Sequence, residues 1–354
     1  MGFLDLFSTA STPILKVLII TALGSFLALD SVDILGQTAR KHVNNGVFFV
    51  SNPALVGSNL AETITLESII SMWFMPINIL ITFIFGAALG WLLLIITRPP
   101  EHLKGLILGT CSAGNLGNLL LIIVPAVCKE QGSPFGDPDV CHGYAMAYAS
   151  LSMAMGSLFV WTFVYNILRV FSQGSGNNVV TETVNGQKDL TENLLPTSSS
   201  STLNIKKRVK VMRCWHHQPP QRLWASLFCI LSRGCRDPNM TLILGANLLR
   251  GLKGSSSVSL PIVIGIVAVR LVLLPLIGIL VVKGALYLGF VHADPLYVYV
   301  LLLQFAVPPS MNIGTITQLF GAGESECSVI MMWSYGLASV SLTVWSMFFM
   351  WLVA

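Results

Sequence analysis

The chain reads as an all-α polytopic membrane protein built from two inverted five-helix repeats, and three observations lead there. Hydrophobic residues make up 54% of its 354 residues and charged residues only 10%, against about 25% charged in soluble domains. Apolar runs long enough to cross a bilayer recur from end to end. Two of these runs, one in each half, are interrupted at matching places by helix breakers and amides: Ser112-Ala113-Gly114-Asn115-Leu116-Gly117-Asn118 and Ala306-Val307-Pro308-Pro309-Ser310-Met311-Asn312.

Runs centred near Leu18, Ile81, Ile122, Ser157, Ile266, Leu302 and Leu342 each approach the roughly 20 residues needed to span hydrocarbon. Shorter candidates lie at Val47–Ala61, Leu223–Leu231 and Met240–Leu252. The Leu15–Leu29 run lacks a basic region before it, so it reads as a first anchor and not as a cleaved signal.

Residues 172–221 divide the chain. This stretch is rich in Gly, Ser and Asn, carries the serine run before Thr202, and loses all apolar periodicity; such a composition buries no core and is expected to be disordered. The expected organisation is a first repeat over 11–171, a disordered cytosolic loop over 172–221 and a second repeat over 222–354. The second repeat is expected to be incomplete in its first helices, because Arg236-Asp237-Pro238 is a turn signal that separates two short runs. Other places support the repeat. Asn52-Pro53-Ala54-Leu55 is echoed by Asn239-Met240-Thr241-Leu242, and Tyr148-Ala149-Ser150 by Tyr335-Gly336-Leu337-Ala338-Ser339 after Cys141 and Cys327.

The net charge of +4 carries no nucleic-acid message. Its distribution sets an orientation: Arg40, Lys41, Arg98, Lys104, Arg169 and the basic stretch Lys206–Arg236 contrast with the acid-rich loop Lys129–Asp139. Positive residues favour the cytosol, which places the N-terminus in the lumen or outside and the central loop in the cytosol; a downstream repeat that keeps its orientation then puts Ala354 in the lumen. Seven cysteines, odd in number and scattered, form no disulfide framework. Cys128 and Cys141 share a short non-cytosolic loop, where a pair and two free thiols are both open. Cys214, His216, His217, Cys229 and Cys235 match no zinc spacing, so no metal and no cofactor is expected. The scattered His and Cys residues form no catalytic constellation either.

Gly/Pro-interrupted spans at corresponding places of two halves point to a transporter's binding site, since irregular backbone at that depth survives only where protein buries it or water reaches it. An organic anion needs a mid-membrane place to shed water. Half-helix N-termini offer N–H donors and partial positive charge. Asn118 and Asn312 stand at equivalent positions beside them, and Asn115, Pro308, Pro309, Ser310, Thr315 and Gln318 complete the candidate binding set. The alternative is that these amides only cap broken backbone. Arg270, inside the run Ile262–Ile279, is either paired within the protein or snorkelling, with a substrate counter-ion as a third reading. Neither broken segment holds Asp or Glu, which argues against a proton or sodium relay built on carboxylates. The tryptophans read as interfacial or packing residues, with stacking on an aromatic substrate as a further role.

Gly109-Thr110-Cys111-Ser112-Ala113-Gly114-Asn115-Leu116-Gly117-Asn118, Leu303-Gln304-Phe305-Ala306-Val307-Pro308-Pro309-Ser310-Met311-Asn312-Ile313-Gly314-Thr315 and Gly323-Glu324-Ser325-Glu326-Cys327-Ser328-Val329 resemble signatures of the plant PIN-LIKES proteins, in the wider auxin efflux carrier superfamily. The resemblance covers Met1 to about Phe171 and Asn239 to Ala354. It implies ten helices in two inverted repeats, residence as a multi-pass protein of the endoplasmic reticulum membrane, and movement of the auxin indole-3-acetate into the lumen. Auxin, the lipid bilayer and a second copy in a homodimer are the expected partners; nucleic acid is not. Residues 205–238 depart from the family pattern, which motivates the alternative of a truncated, non-transporting paralogue that regulates intact carriers by association. The related PIN carriers place proline at both crossings, whereas glycines 114 and 117 hold the first one here.

Overall fold

The computed structural model describes residues 3–29, 72–130, 132–172, 258–320 and 323–354, with isolated positions between 32 and 46 and at 245. Nine helices run through these residues: α1 Phe3–Leu27, α2 Phe74–Thr97, α3 Glu101–Ser112, α4 Asn118–Lys129, α5 Pro138–Ser172, α6 Leu260–Tyr287, α7 Pro295–Ala306, α8 Asn312–Phe320 and α9 Glu324–Val353. Among the described residues there is no strand. The expected all-α membrane architecture is what the chain adopts. The candidate spans at 47–61, 223–231 and 240–252, the central loop beyond Ser172 and the Cys/His group at 214–235 lie outside the described residues, apart from Gly245.

Beyond α1, which has 25 residues, the helices are of two kinds. Helices α2, α5, α6 and α9 are long and apolar enough to cross a membrane; the 24 residues of α2, at about 1.5 Å each, exceed the ~30 Å hydrocarbon core. Helices α3 and α4 have 12 residues each, and α7 and α8 have 12 and 9. Each of these is about half a crossing long, and the two pairs occupy the places where the sequence breaks. The order long, broken, long therefore occurs twice: α2, α3/α4, α5 and then α6, α7/α8, α9.

Local chemistry sets the ends. The Asp137 carboxylate accepts the N–H groups of Asp139 and Val140, with Pro138 in the first turn of α5. Asp294 caps α7 in the same way through Leu296, ahead of Pro295, as short acceptors before a helical proline do. Arg98, at φ 44°, closes α2 ahead of Pro99 and Pro100. Two long helices carry a π-turn, Val160–Val164 in α5 and Val269–Leu273 in α6. In α6 the turn precedes Pro275, whose ring has no N–H to give the helical ladder.

Helix α7 is the centre of the bundle. Every residue from Leu296 to Ala306 is buried, against α2, α4, α5, α6 and α9. Large apolar side chains face outward elsewhere, among them Ile95, Ile96, Leu280, Val340 and Trp351, as a lipid-facing surface requires. Close approach governs the packing of α2 on α3: a Cβ at Gly86 would lie 2.4 Å from the Cys111 carbonyl oxygen. The open question at Cys128 and Cys141 resolves as a disulfide with Cα atoms 5.6 Å apart, joining the end of α4 to the start of α5. Disulfides persist in oxidising compartments, and this is the acid-rich loop expected on the non-cytosolic side. Cys327, its counterpart in the sequence echo, is a buried free thiol.

Candidate functional site

The two breaks meet. Gly114 and Pro309 form an isolated antiparallel bridge, in which the Asn115 N–H donates to the Pro308 carbonyl at 2.8 Å and the Ser310 N–H donates to the Ala113 carbonyl at 2.9 Å. Broken helices strand N–H and C=O groups in a medium without water, and each unpaired group is expensive. Here each break supplies what the other lacks, and the two segments run in opposite directions as they pass.

Four further carbonyls at the breaks have side-chain partners. Arg270, 0% exposed, donates from Nη1 to Cys111 and Ser112 at 3.2 and 3.4 Å, and from Nη2 to Val307 at 2.8 Å. Tyr335 of α9 donates its hydroxyl to the Pro309 carbonyl at 2.8 Å and accepts from Asn115 Nδ2 at 2.9 Å. Arg270 is thus neither snorkelling nor matched to a carboxylate: it closes the C-terminal ends of α3 and α7. Pro275, four residues on from Leu271, has no N–H for the Leu271 carbonyl, which instead accepts from Trp345 Nε1 at 2.8 Å and Ser341 Oγ at 3.3 Å. Trp345 is therefore a packing residue with a defined hydrogen bond.

Glycine is required in the first break. A Cβ at Gly114 would sit 2.3 Å from Arg270 Nη2 and 2.8 Å from Val307 Cγ2, so the break that holds glycine in place of proline is pressed by the arginine and by the Val307 side chain.

Asn118 and Asn312 begin α4 and α8, both half-buried, and both line one small polar cavity of about 30 Å³ together with Asn115, Ser310, Ser157 and Met153. A volume of that order holds water and little more. The other candidate residues are distributed differently. Pro308 borders a second, apolar cavity of about 250 Å³ between α1, α4 and α9, whose wall includes Tyr335, Ile123 and Leu342. Pro309 serves the bridge and Tyr335, and neither cavity includes it. Thr315 is buried and Gln318 half-buried in α8, and neither lines the small cavity.

Residues not foreseen as partners tie the crossing to its surroundings. Gln304, one turn before the second break, accepts from Asn78 Nδ2 at 2.7 Å and donates to Ser152 Oγ at 2.8 Å. Asn78 also donates to the Leu301 carbonyl, so one fully buried network joins α2, α5 and α7. Amides inside apolar runs, the signal that located Asn118 and Asn312, were present at Asn78 and Gln304 too. Among the described residues no group of three or more His, Cys, Asp or Glu side chains could hold a metal ion.

Tyr335 links both breaks, which fixes an expected result. Tyr335→Phe removes the donor to Pro309 and the acceptor of Asn115, leaving two buried polar groups unpaired at about 1–3 kcal/mol each. Thermal unfolding of the purified variant should begin several degrees lower; an unchanged midpoint would show that the hydroxyl is dispensable.

Comparisons with known proteins agree on the family. The family described as membrane transport protein matches residues 9–240 and 200–346. Protein PIN-LIKES 1 of Arabidopsis thaliana is 47% identical, covering 100% of this chain and 81% of that protein. Protein PIN-LIKES 3 of the same plant is 46% identical over 99% of both, and Protein PIN-LIKES 4 is 41% identical over the full length of both. The alignment with PIN-LIKES 3 runs over 392 positions, more than the 354 residues of this chain, so part of that relative has no counterpart here. Membership of a membrane transport family sets the class as transport and not catalysis. With its twice-repeated long, broken, long helix order and its paired breaks, the chain belongs to the PIN-LIKES proteins of the membrane transport protein family.

Proposed function

We propose that the chain is a carrier for auxin-like aromatic carboxylates, indole-3-acetate among them, across the endoplasmic reticulum membrane, and that the crossing of the two breaks binds the carboxylate. One observation carries this reading: the N-termini of α4 and α8, led by Asn118 and Asn312, converge on a single polar cavity. First-turn N–H groups and the helix dipole favour an anion there, and the two amides add donors. Neither break contributes a carboxylate that would repel the substrate.

The cavity is far smaller than the pockets of several hundred Å³ that enclose organic ligands. The carrier cycle therefore includes an opening of the crossing, in which one group of helices rocks or slides against the other. The inverted repeat belongs to the same reading and is supported by the antiparallel Gly114–Pro309 bridge and by the repeated helix order. The endoplasmic reticulum and the substrate rest on likeness to the PIN-LIKES proteins; the Cys128–Cys141 disulfide supports an oxidising compartment on one side.

The length difference from PIN-LIKES 3 favours a second reading, a non-transporting paralogue that regulates intact carriers by association. Uptake of radiolabelled indole-3-acetate into proteoliposomes that contain this chain alone separates the two. Saturable uptake above protein-free vesicles is the expected result, and uptake equal to theirs would leave the regulator.

A further inference from the structure

Helix poles of both signs meet at the crossing. Helices α3 and α7 end there, at Ser112 and Ala306, while α4 and α8 begin there, at Asn118 and Asn312. Each helix end is equivalent to about half an elementary charge, negative at C-termini and positive at N-termini. Two of each sum to nearly nothing. In a crossing made of four bare poles the C-terminal pair offsets much of the pull that the N-terminal pair exerts on an anion.

Arg270 changes that balance. Its guanidinium spans the two negative poles, with Nη1 on the carbonyls of Cys111 and Ser112 at the end of α3 and Nη2 on Val307 at the end of α7. Among the described residues it is the one charged side chain that is buried, and no buried Asp or Glu shares its charge. Its Nε is buried with no hydrogen-bond partner, so the three carbonyls do not saturate it. Arg270 is absent from the lining of the small cavity, and Gly114 lies between, with no side chain to hold the guanidinium away.

We infer that Arg270 sets the anion preference of the crossing without touching the anion: it neutralises the C-terminal poles of α3 and α7 and leaves the N-terminal poles of α4 and α8 unopposed. Guanidinium suits this task because its planar fork reaches carbonyls of two different helices and keeps its charge at neutral pH. It is a positioning residue, acting through helix ends. This inference rests on the proposed function, since it names what makes that site prefer a carboxylate.

The test compares uptake of indole-3-acetate with uptake of its uncharged amide, at neutral pH where the acid is ionised, by wild type, Arg270→Lys and Arg270→Gln in proteoliposomes. Wild type should prefer the carboxylate. Arg270→Lys, which keeps the charge and loses the fork, should transport more slowly with the preference kept. Arg270→Gln should lose at least tenfold of the preference, chiefly through a raised KM for the acid. A wild-type ratio in Arg270→Gln would overturn the inference, as would equal loss of preference in the Lys variant, which would make the role purely geometric. Gel filtration reports folding; where the Gln variant does not fold, the Lys variant decides, a kept ratio supporting the inference and a lost one overturning it. Wild type that takes up no carboxylate overturns the proposed function and this inference together, whereas an active wild type with an unaltered Gln variant overturns this inference alone.

Discussion

Replacing Pro308 and Pro309 together with Ala should abolish uptake while leaving membrane insertion intact. Each proline withholds an N–H and disfavours a helix interior by about 3 kcal/mol relative to alanine. With both gone, the flanking helices α7 and α8 lack a strong reason to stop, and the segment from Pro295 to Phe320 becomes free to form one helix. Continuity would draw the Pro308 and Pro309 carbonyls into the ladder, away from Asn115 and Tyr335, and would remove the start of α8 from the cavity. Circular dichroism of the purified variant should show unchanged or slightly raised helix content, and vesicle uptake should fall to the protein-free level. Uptake within twofold of wild type would show that the break in the second half is dispensable.

Gly114→Val should be as damaging by a different route. The Cβ position is 2.3 Å from Arg270 Nη2 and 2.8 Å from Val307 Cγ2. Neither neighbour is free to give way, because Arg270 is fixed by three carbonyls and Val307 sits on the opposing break. Overpacking of this kind costs about 1–3 kcal/mol, and the bridge to Pro309 would be forced apart in addition. The thermal midpoint should fall by several degrees and uptake should be lost. The same substitution at Gly143, around which a Cβ meets nothing within 4 Å, provides the control and should leave both unchanged. Equal behaviour of the two variants would remove the argument from close approach.

The breaks were legible because their causes are local. Proline pairs and Gly-Asn clusters inside apolar runs announce themselves whatever surrounds them, and the halves could be aligned on that feature alone. What faces the breaks is a matter of contact. Arg270 was visible as a buried charge, but its partners, the carbonyls of residues 111, 112 and 307, are backbone atoms that carry no sequence label. Tyr335 appeared only as part of a repeated Tyr/Ala/Ser stretch. Thr315 and Gln318 follow Asn312 closely in the sequence. Yet a helix rises about 1.5 Å per residue, which carries them roughly 4.5 and 9 Å along α8 from a cavity too small to follow. Helix α7 illustrates a further gap: apart from Gln304 it is nearly uniformly apolar, so its composition marks a membrane segment without revealing that it is the buried centre.

If an anionic substrate binds in the cavity that Asn118 and Asn312 both line, their amides should govern its affinity. Equilibrium binding of radiolabelled indole-3-acetate to the purified full chain, wild type against Asn118→Ala/Asn312→Ala, measures this. Hydrogen bonds to a charged partner contribute about 1.5–3 kcal/mol each, and every 1.4 kcal/mol is about tenfold in Kd. Wild type should bind saturably and the double variant at least tenfold more weakly, with the thermal midpoint preserved because the backbone bridge and Arg270 remain. Equal affinity in the two proteins would contradict it and place the substrate elsewhere.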